Sequence, residues 1–237
     1  MEPWRLRPRR TPGGDVEFIT NAIKYVPVIT LGLLPIMNPL STVPLFLTLT
    51  RRMSPHWRAR QARLACLYAF LILSAFLFLG NGIIALFGIS LPGIRIAGGL
   101  IIMVLAFRML FSGQGQEGPV DEGDAEEIKQ AELDFSFSPL AMPSLAGPGS
   151  IAVVMSYGSQ IPEGHSIDGH IIVLIGVAIT VAVAYVALIF SNWIAKFLGE
   201  HGIQAVTKIM GFLLTCVAVQ FIASGIREFV VSFSALS

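Results

Sequence analysis

The groups best suited to chemistry in this chain gather in two short uncharged stretches. The first, LLPIMNPLSTVPLFL, carries Pro35, Asn38, Pro39, Ser41, Thr42 and Pro44. The second, FSPLAMPSLAGPGSIAV, carries Pro139, Pro143, Ser144, Gly147, Pro148, Gly149 and Ser150. Pro35 and Pro139, Pro39 and Pro143, and Pro44 and Pro148 are each 104 residues apart. Proline in a helix removes a backbone donor and clashes with the preceding turn, so all six are expected to break or unwind a helix. Amides freed at the start of a half-helix gather partial positive charge that suits a carboxylate. Carbonyls freed at the preceding end suit an ammonium or a small cation. Asn38, Pro39, Ser41 and Thr42, with Pro143, Ser144, Gly147, Gly149 and Ser150, are therefore the candidate substrate-binding residues. Gly147 and Gly149 would let a ligand approach the backbone closely. Together they offer both ends of a small zwitterion a partner without a formal charge.

Other chemistries lack their residues. The fifteen acids are Glu2, Asp15, Glu17, eight between 113 and 134, Glu163, Asp168, Glu200 and Glu228; none falls at the middle of an apolar run. His56, His165, His170 and His201 all lie near charged or polar boundaries. Intramembrane proton relays and metal sites ordinarily need such groups within a span. A metal exporter, an intramembrane metalloprotease, a carboxylate-gated pump and a Ser-His-Asp hydrolase are all disfavoured, and no metal, cofactor or enzymatic activity is expected. Cys66 and Cys216 both sit in apolar runs with no second thiol near either, and read as small buried hydrophobes. The net charge of +1 gives no footprint for nucleic acid.

The elements that must position these groups are membrane spans. Hydrophobic residues make up 54% of the chain and charged residues only 13%, about half the share of a soluble domain, and the mean hydropathy is +0.73. Uncharged runs cover 25–50, 64–94, 96–107, 135–162, 169–195 and 209–226. A helix needs roughly 20 apolar residues to cross the hydrocarbon. Splitting the long run at Gly88 and Leu91-Pro92-Gly93 predicts six spans, at 24–50, 64–87, 92–111, 137–158, 169–195 and 205–230. Gly176, Thr180 and Ala184 suggest close packing of the fifth span. Arg95 and Arg108 are expected to snorkel from the ends of the third.

The stretch 113–134 holds eight acids against Lys129 and reads as a solvated acidic linker on the cytoplasmic side. It divides the chain into a disordered tail over 1–17, a three-helix repeat over 18–112, and a second over 135–237. Three spans per half force the halves to enter the membrane from opposite sides. The expected fold is thus an all-α polytopic membrane protein, a 3+3 inverted repeat of six transmembrane helices with helices 1 and 4 broken. Arg95-Ile-Ala-Gly-Gly-Leu and Lys208-Ile-Met-Gly-Phe-Leu support the repeat, as basic-Ile-x-Gly-x-Leu in both third spans. Matched broken helices in two halves point to a carrier's binding site. The first, third and fifth connections hold Arg51, Arg52, Arg58, Arg60, Arg63, Arg108, Lys129, Lys196 and Lys208, against Arg95 and Arg227 on the other side. The excess predicts those connections in the cytoplasm and both termini outside, although the tail carries Arg5, Arg7, Arg9 and Arg10.

Asn38-Pro-Leu-Ser-Thr-Val-Pro-Leu-Phe46, Gly88-Ile-Ser-Leu-Pro-Gly-Ile-Arg-Ile-Ala-Gly-Gly99 and Pro139-Leu-Ala-Met-Pro-Ser-Leu-Ala-Gly-Pro-Gly-Ser-Ile151 resemble the MarC family of bacterial inner-membrane proteins. Met210-Gly-Phe-Leu-Leu214 and Val219-Gln-Phe-Ile222 extend the resemblance, which covers roughly 18–230. It implies six spans in an inverted repeat, the multi-pass inner-membrane location, membership of the LysE-type exporter group, and transport of small neutral amino acids such as glycine or alanine. The family's first motif is commonly Asn-Pro-x-Gly; Ser41 stands here in the Gly position, where its hydroxyl could alter substrate choice. Two other readings stand beside the carrier. One is a non-transporting assembly or regulatory protein of the membrane, whose breaks serve packing only. The other, a thiol-electron carrier, would need symmetry-related cysteines, and spans two and six do not correspond. Nothing in the residues fixes an oligomeric state or a coupling ion.

Overall fold

The computed structural model describes residues 14–51, 53–111, 135–161 and 166–234. Among them every element is helical and there is no strand. The helices are α1 (Gly14–Met37), α2 (Pro39–Leu49), α3 (Pro55–Phe87), α4 (Leu91–Phe111), a widened segment α5 (Ser136–Leu145), α6 (Pro148–Ser159), α7 (Ser166–Ile189) and α8 (Ser191–Ser234). The acidic linker and most of the N-terminal tail lie outside the described residues. Among the described residues, five helices are long and apolar enough to cross a membrane: Phe18–Met37, Pro55–Phe87, Leu91–Phe111, Ile167–Ile189 and His201–Ser232. The fourth predicted span is no continuous helix; α5 and α6 share it.

Several boundaries move for local reasons. α1 begins at Gly14, inside the tail expected to be unstructured over 1–17. α3 begins at Pro55 rather than 64, because Pro55 fits the first helical position and Ser54 Oγ accepts from Trp57 N. It ends where Gly88 turns left-handed at φ 62°. The predicted fifth span stops at Ile189 instead of 195, and α8 then bends at Gly199, whose φ is 64°.

The prolines need a larger correction. Pro35 lies inside α1, together with Pro27, and Pro44 lies inside α2; neither breaks its helix. One lost backbone bond is tolerable where surrounding helices hold the turn. The first-half break falls at Asn38 alone. In the second half Ser138 (φ −125°, ψ 130°) and Met142 (φ −127°, ψ 124°) are extended. Each precedes a proline, whose ring disfavours the helical region for the residue before it. Gly147, before Pro148, is extended as well.

α4 and α8 form the largest interface. They run antiparallel and approach through glycines: a Cβ on Gly225 would stand 2.8 Å from Pro92 O, on Gly99 3.0 Å from Ala218 O, and on Gly211 3.0 Å from Ala106 O. Such contact of backbone on backbone gives dispersion energy that bulkier residues would forbid. α1 packs on α7, where Gly176 meets Ile29 and Thr30 Oγ1 donates to Gly176 O at 3.4 Å. α5 packs on α3; α2 lies against α7 and α8, and α6 against α3 and α4. Leu33, Leu73, Leu77, Ile102, Leu140 and Leu188 fill the core between them.

Candidate functional site

The first break is built on one residue. Asn38 is the sole non-glycine residue with positive φ among those described, at φ 39° and ψ 66°. Asparagine is one of the few side chains that tolerates this region. Its own amide still donates to Leu34 O, closing α1, while Pro39 opens α2 without needing a partner. Asn38 Oδ1 accepts from Ser41 N at 3.4 Å, and the Asn38 carbonyl accepts from Ser41 Oγ at 3.0 Å and Thr42 Oγ1 at 3.4 Å. Asn38, Pro39 and Thr42 are buried and Ser41 is half-buried. Three of the four candidates in this stretch are thus tied into a cap, with Nδ2 of Asn38 left to donate to Met109 Sδ at 3.3 Å. A thioether is a weak acceptor.

The second break is built differently. α5 turns widely, with Ala146 N donating to Ala141 O at 2.8 Å. Gly147 then starts α6 with no side chain capping it. Pro148 has no donor, so Gly149 and Ser150 carry the first amides of the helix, and helix geometry gives such amides no carbonyl of their own. Both residues are buried, and Ser150 Oγ turns back to donate to Leu145 O at 3.3 Å. Ser144 is half-buried near the end of α5, which also contains Pro139 and Pro143. The result is an uncapped, buried helix start carrying partial positive charge in apolar surroundings.

The two breaks meet. A Cβ on Gly149 would stand 3.2 Å from Ile36 Cγ2, two residues before Asn38, and 3.2 Å from Ile102 Cγ1. Leu105 Cδ1 follows at 3.7 Å. One stripe of α4 therefore touches both sides: Ile102 and Leu105 at Gly149, and Met109 at Asn38. Sequence reasoning missed these three. Their spacing of three and four residues was the available signal, although it does not distinguish a lining face from a lipid-facing one.

The model of the MarC family, described as integral membrane proteins, matches residues 23–230. The chain belongs to the MarC family. Inner membrane protein MarC of Citrobacter koseri is 41% identical over 206 residues, 85% of this chain and 93% of that protein. Inner membrane protein MarC of Salmonella typhimurium matches at the same identity and coverage. Its counterpart in Escherichia coli O1:K1 is 40% identical over the same shares. No solved structure gives a significant match.

Elsewhere in this MarC-family protein, two further expectations fail, at Arg95 and at Cys216. Arg95 does not snorkel outward: it is buried, its Nη1 pairs with Glu228 Oε1, and its Nε donates to Ser156 Oγ at 3.2 Å. α4 and α8 run antiparallel, so the start of one meets the end of the other, and an acid there is a nearer partner than solvent. Arg108, at the other end of α4, is exposed. No cluster of His, Cys, Asp and Glu that could hold a metal occurs among the described residues. Cys66 is buried on α3 as expected, but Cys216 is exposed on α8, because its side of that helix is not covered by another; both are free thiols.

Proposed function

We propose that this MarC-family protein is a secondary carrier of small neutral amino acids in the bacterial inner membrane. The observation that carries the reading is the approach of Gly149 to Ile36, which brings an uncapped buried helix start beside the Asn38 break. The substrate carboxylate is received by the Gly149 and Ser150 amides, and its ammonium by carbonyls released where α1 and α5 end. Burial strengthens both interactions, because the surroundings screen them poorly. The crowding of Ile36, Ile102 and Leu105 on Gly149 favours the smallest substrates of this class, hence glycine or alanine.

Alternating access follows from a 3+3 inverted repeat in which α1–α2, α3 and α4 correspond to α5–α6, α7 and α8. The pattern of packing supports that correspondence. α1 on α7 has its counterpart in α5 on α3, α2 on α8 in α6 on α4, and α2 on α7 in α6 on α3. α3 on α7 and α4 on α8 are their own counterparts. The basic loops favour both termini in the periplasm. The relatives' names support the inner membrane as the location.

Purified protein in liposomes should exchange radiolabelled glycine or alanine, and Gly149→Leu should abolish the exchange while the protein still inserts and elutes as a single species. A second reading, a non-transporting assembly or regulatory protein, is favoured by the use of Asn38, Ser41 and Thr42 in capping. Absence of exchange for every small neutral amino acid, with intact binding of a partner protein, would select it.

A further inference from the structure

The most heavily desolvated charge among the residues described here is Arg95, and neither break uses it. It lies on the first turns of α4 and is 8% exposed. Its guanidinium joins three helices: Nη1 pairs with Glu228 on α8, and Nε donates to Ser156 Oγ on α6. Ser156 is buried, and its carbonyl accepts from Gln160 Nε2 at 2.6 Å and Ser159 Oγ at 3.0 Å. The end of α6 is thereby fastened to the α4–α8 pair through a single guanidinium.

An ion pair with a buried arginine and a half-exposed glutamate is weak evidence for stability, because desolvation of the guanidinium offsets much of the attraction. Its attested uses are in register and switching. An ionisable residue within a span is by default a functional one. Position adds to this. α6 starts at the Gly147 break and reaches Ser156 eight residues after Pro148, roughly 12 Å along the axis. The cluster therefore lies between the break and one face of the membrane. α4 and α8 cannot separate easily at this level, since a Cβ on Gly225 would stand 2.8 Å from Pro92 O and 2.7 Å from Ile96 Cγ1. α6 also packs closely, with a Cβ on Gly98 of α4 2.7 Å from Ala152 Cβ and one on Gly158 3.0 Å from Leu77 O of α3, but its side-chain polar tie to the α4–α8 pair is through Arg95.

The two ends of the bundle differ in this respect. Arg95 and Lys208 occupy the same place in the repeated basic-Ile-x-Gly-x-Leu motif. Arg95 is buried in the cluster, whereas Lys208 is exposed. In an inverted repeat, unequal environments at equivalent positions are what separates an inward-open from an outward-open state.

We infer that Arg95, Glu228 and Ser156 form a latch that holds α6 against α4 and α8, closing the Arg95 end of the path to the two breaks. The inference rests on the carrier reading for its purpose, though not for its test. Opening that end requires α6 to leave Arg95 while the guanidinium stays with Glu228, so the charge is never left alone. The pair keeps Arg95 aimed at Ser156; without Glu228 the side chain turns to solvent and α6 is released.

The test is chemical accessibility in a protein carrying Cys66→Ala, Cys216→Ala and Ser159→Cys, reconstituted in vesicles and treated with a membrane-impermeant maleimide. Labelling should be slow in this parent. Arg95→Gln, Glu228→Gln and Ser156→Ala should each speed it by on the order of tenfold. Unchanged labelling in both charge variants overturns the latch, as does acceleration by them that Ser156→Ala does not share. Should Arg95→Gln fail to insert, Glu228→Gln decides alone. Labelling needs no transported substrate, so faster labelling without any amino acid exchange would keep the latch and remove the carrier.

Discussion

Gly149 on α6 faces Ile36 on α1 so closely that a Cβ on the glycine would stand 3.2 Å from the isoleucine Cγ2. The distance joins the two halves of the chain at their interrupted helices. It also explains the residue type, since Ile102 Cγ1 waits at the same 3.2 Å. Gly149→Ala should be tolerated with shifts of a few tenths of an ångström and reduced exchange. Gly149→Leu should lose exchange and cost about 1–3 kcal/mol through overpacking. Thermal melting in detergent beside liposome exchange separates the two effects.

Asn38 combines a left-handed backbone with a cap, and the two can be tested apart. Asn38→Gly keeps the backbone and gives up the Ser41 cap, so it should lower stability by a few tenths of a kcal/mol. Asn38→Ala loses the cap, at about 1 kcal/mol, and keeps a Cβ in the left-handed region without the polar side chain that eases it there, a conformation that costs a residue with a Cβ about 1–2 kcal/mol and glycine little. The order of melting temperatures should be Asn38, Gly, Ala. Equal values for the two variants would show that the conformation is not the reason for the asparagine.

Pro44 interrupts the bonding of a helix that continues through it. Pro44→Ala restores the missing donor in an exposed position of α2 and should raise the melting temperature without loss of exchange. Pro39→Ala should give no such gain, because the first helical position has no bond to restore.

The α4–α8 interface is expected to be the least forgiving surface. A Cβ on Gly99 would meet Ile222 Cγ1 at 2.7 Å and Ala218 O at 3.0 Å. Gly99→Val should therefore reduce the yield of folded protein sharply, whereas Gly82→Val, at a glycine with open space around it, should not. Fluorescence-detected gel filtration reads the difference directly.

Much of this was visible in the residues. The breaks at Asn38-Pro39 and Gly147-Pro148 were legible because each proline follows a residue that leaves the helix cheaply. Pro35 and Pro44 looked identical on spacing, yet whether a helix continues through proline depends on the neighbours that hold the turn. Ile102, Leu105 and Met109 were invisible as site residues, since an apolar stripe facing a second helix reads like one facing lipid. Arg95 and Glu228 were visible as charges near the ends of their spans. Their meeting depends on the antiparallel pairing of α4 with α8, which the glycines allow but do not announce.

Whether the two breaks form one site through which substrate passes can be read by joining them. In protein carrying Cys66→Ala and Cys216→Ala, Ile36→Cys with Gly149→Cys should form a disulfide on mild oxidation. Glycine and alanine exchange, lowered as in Gly149→Ala but measurable in the reduced double variant, should stop on oxidation and return on reduction. A cross-link that forms fully while exchange continues unchanged would contradict the shared site, and failure to cross-link would contradict the proximity on which it stands.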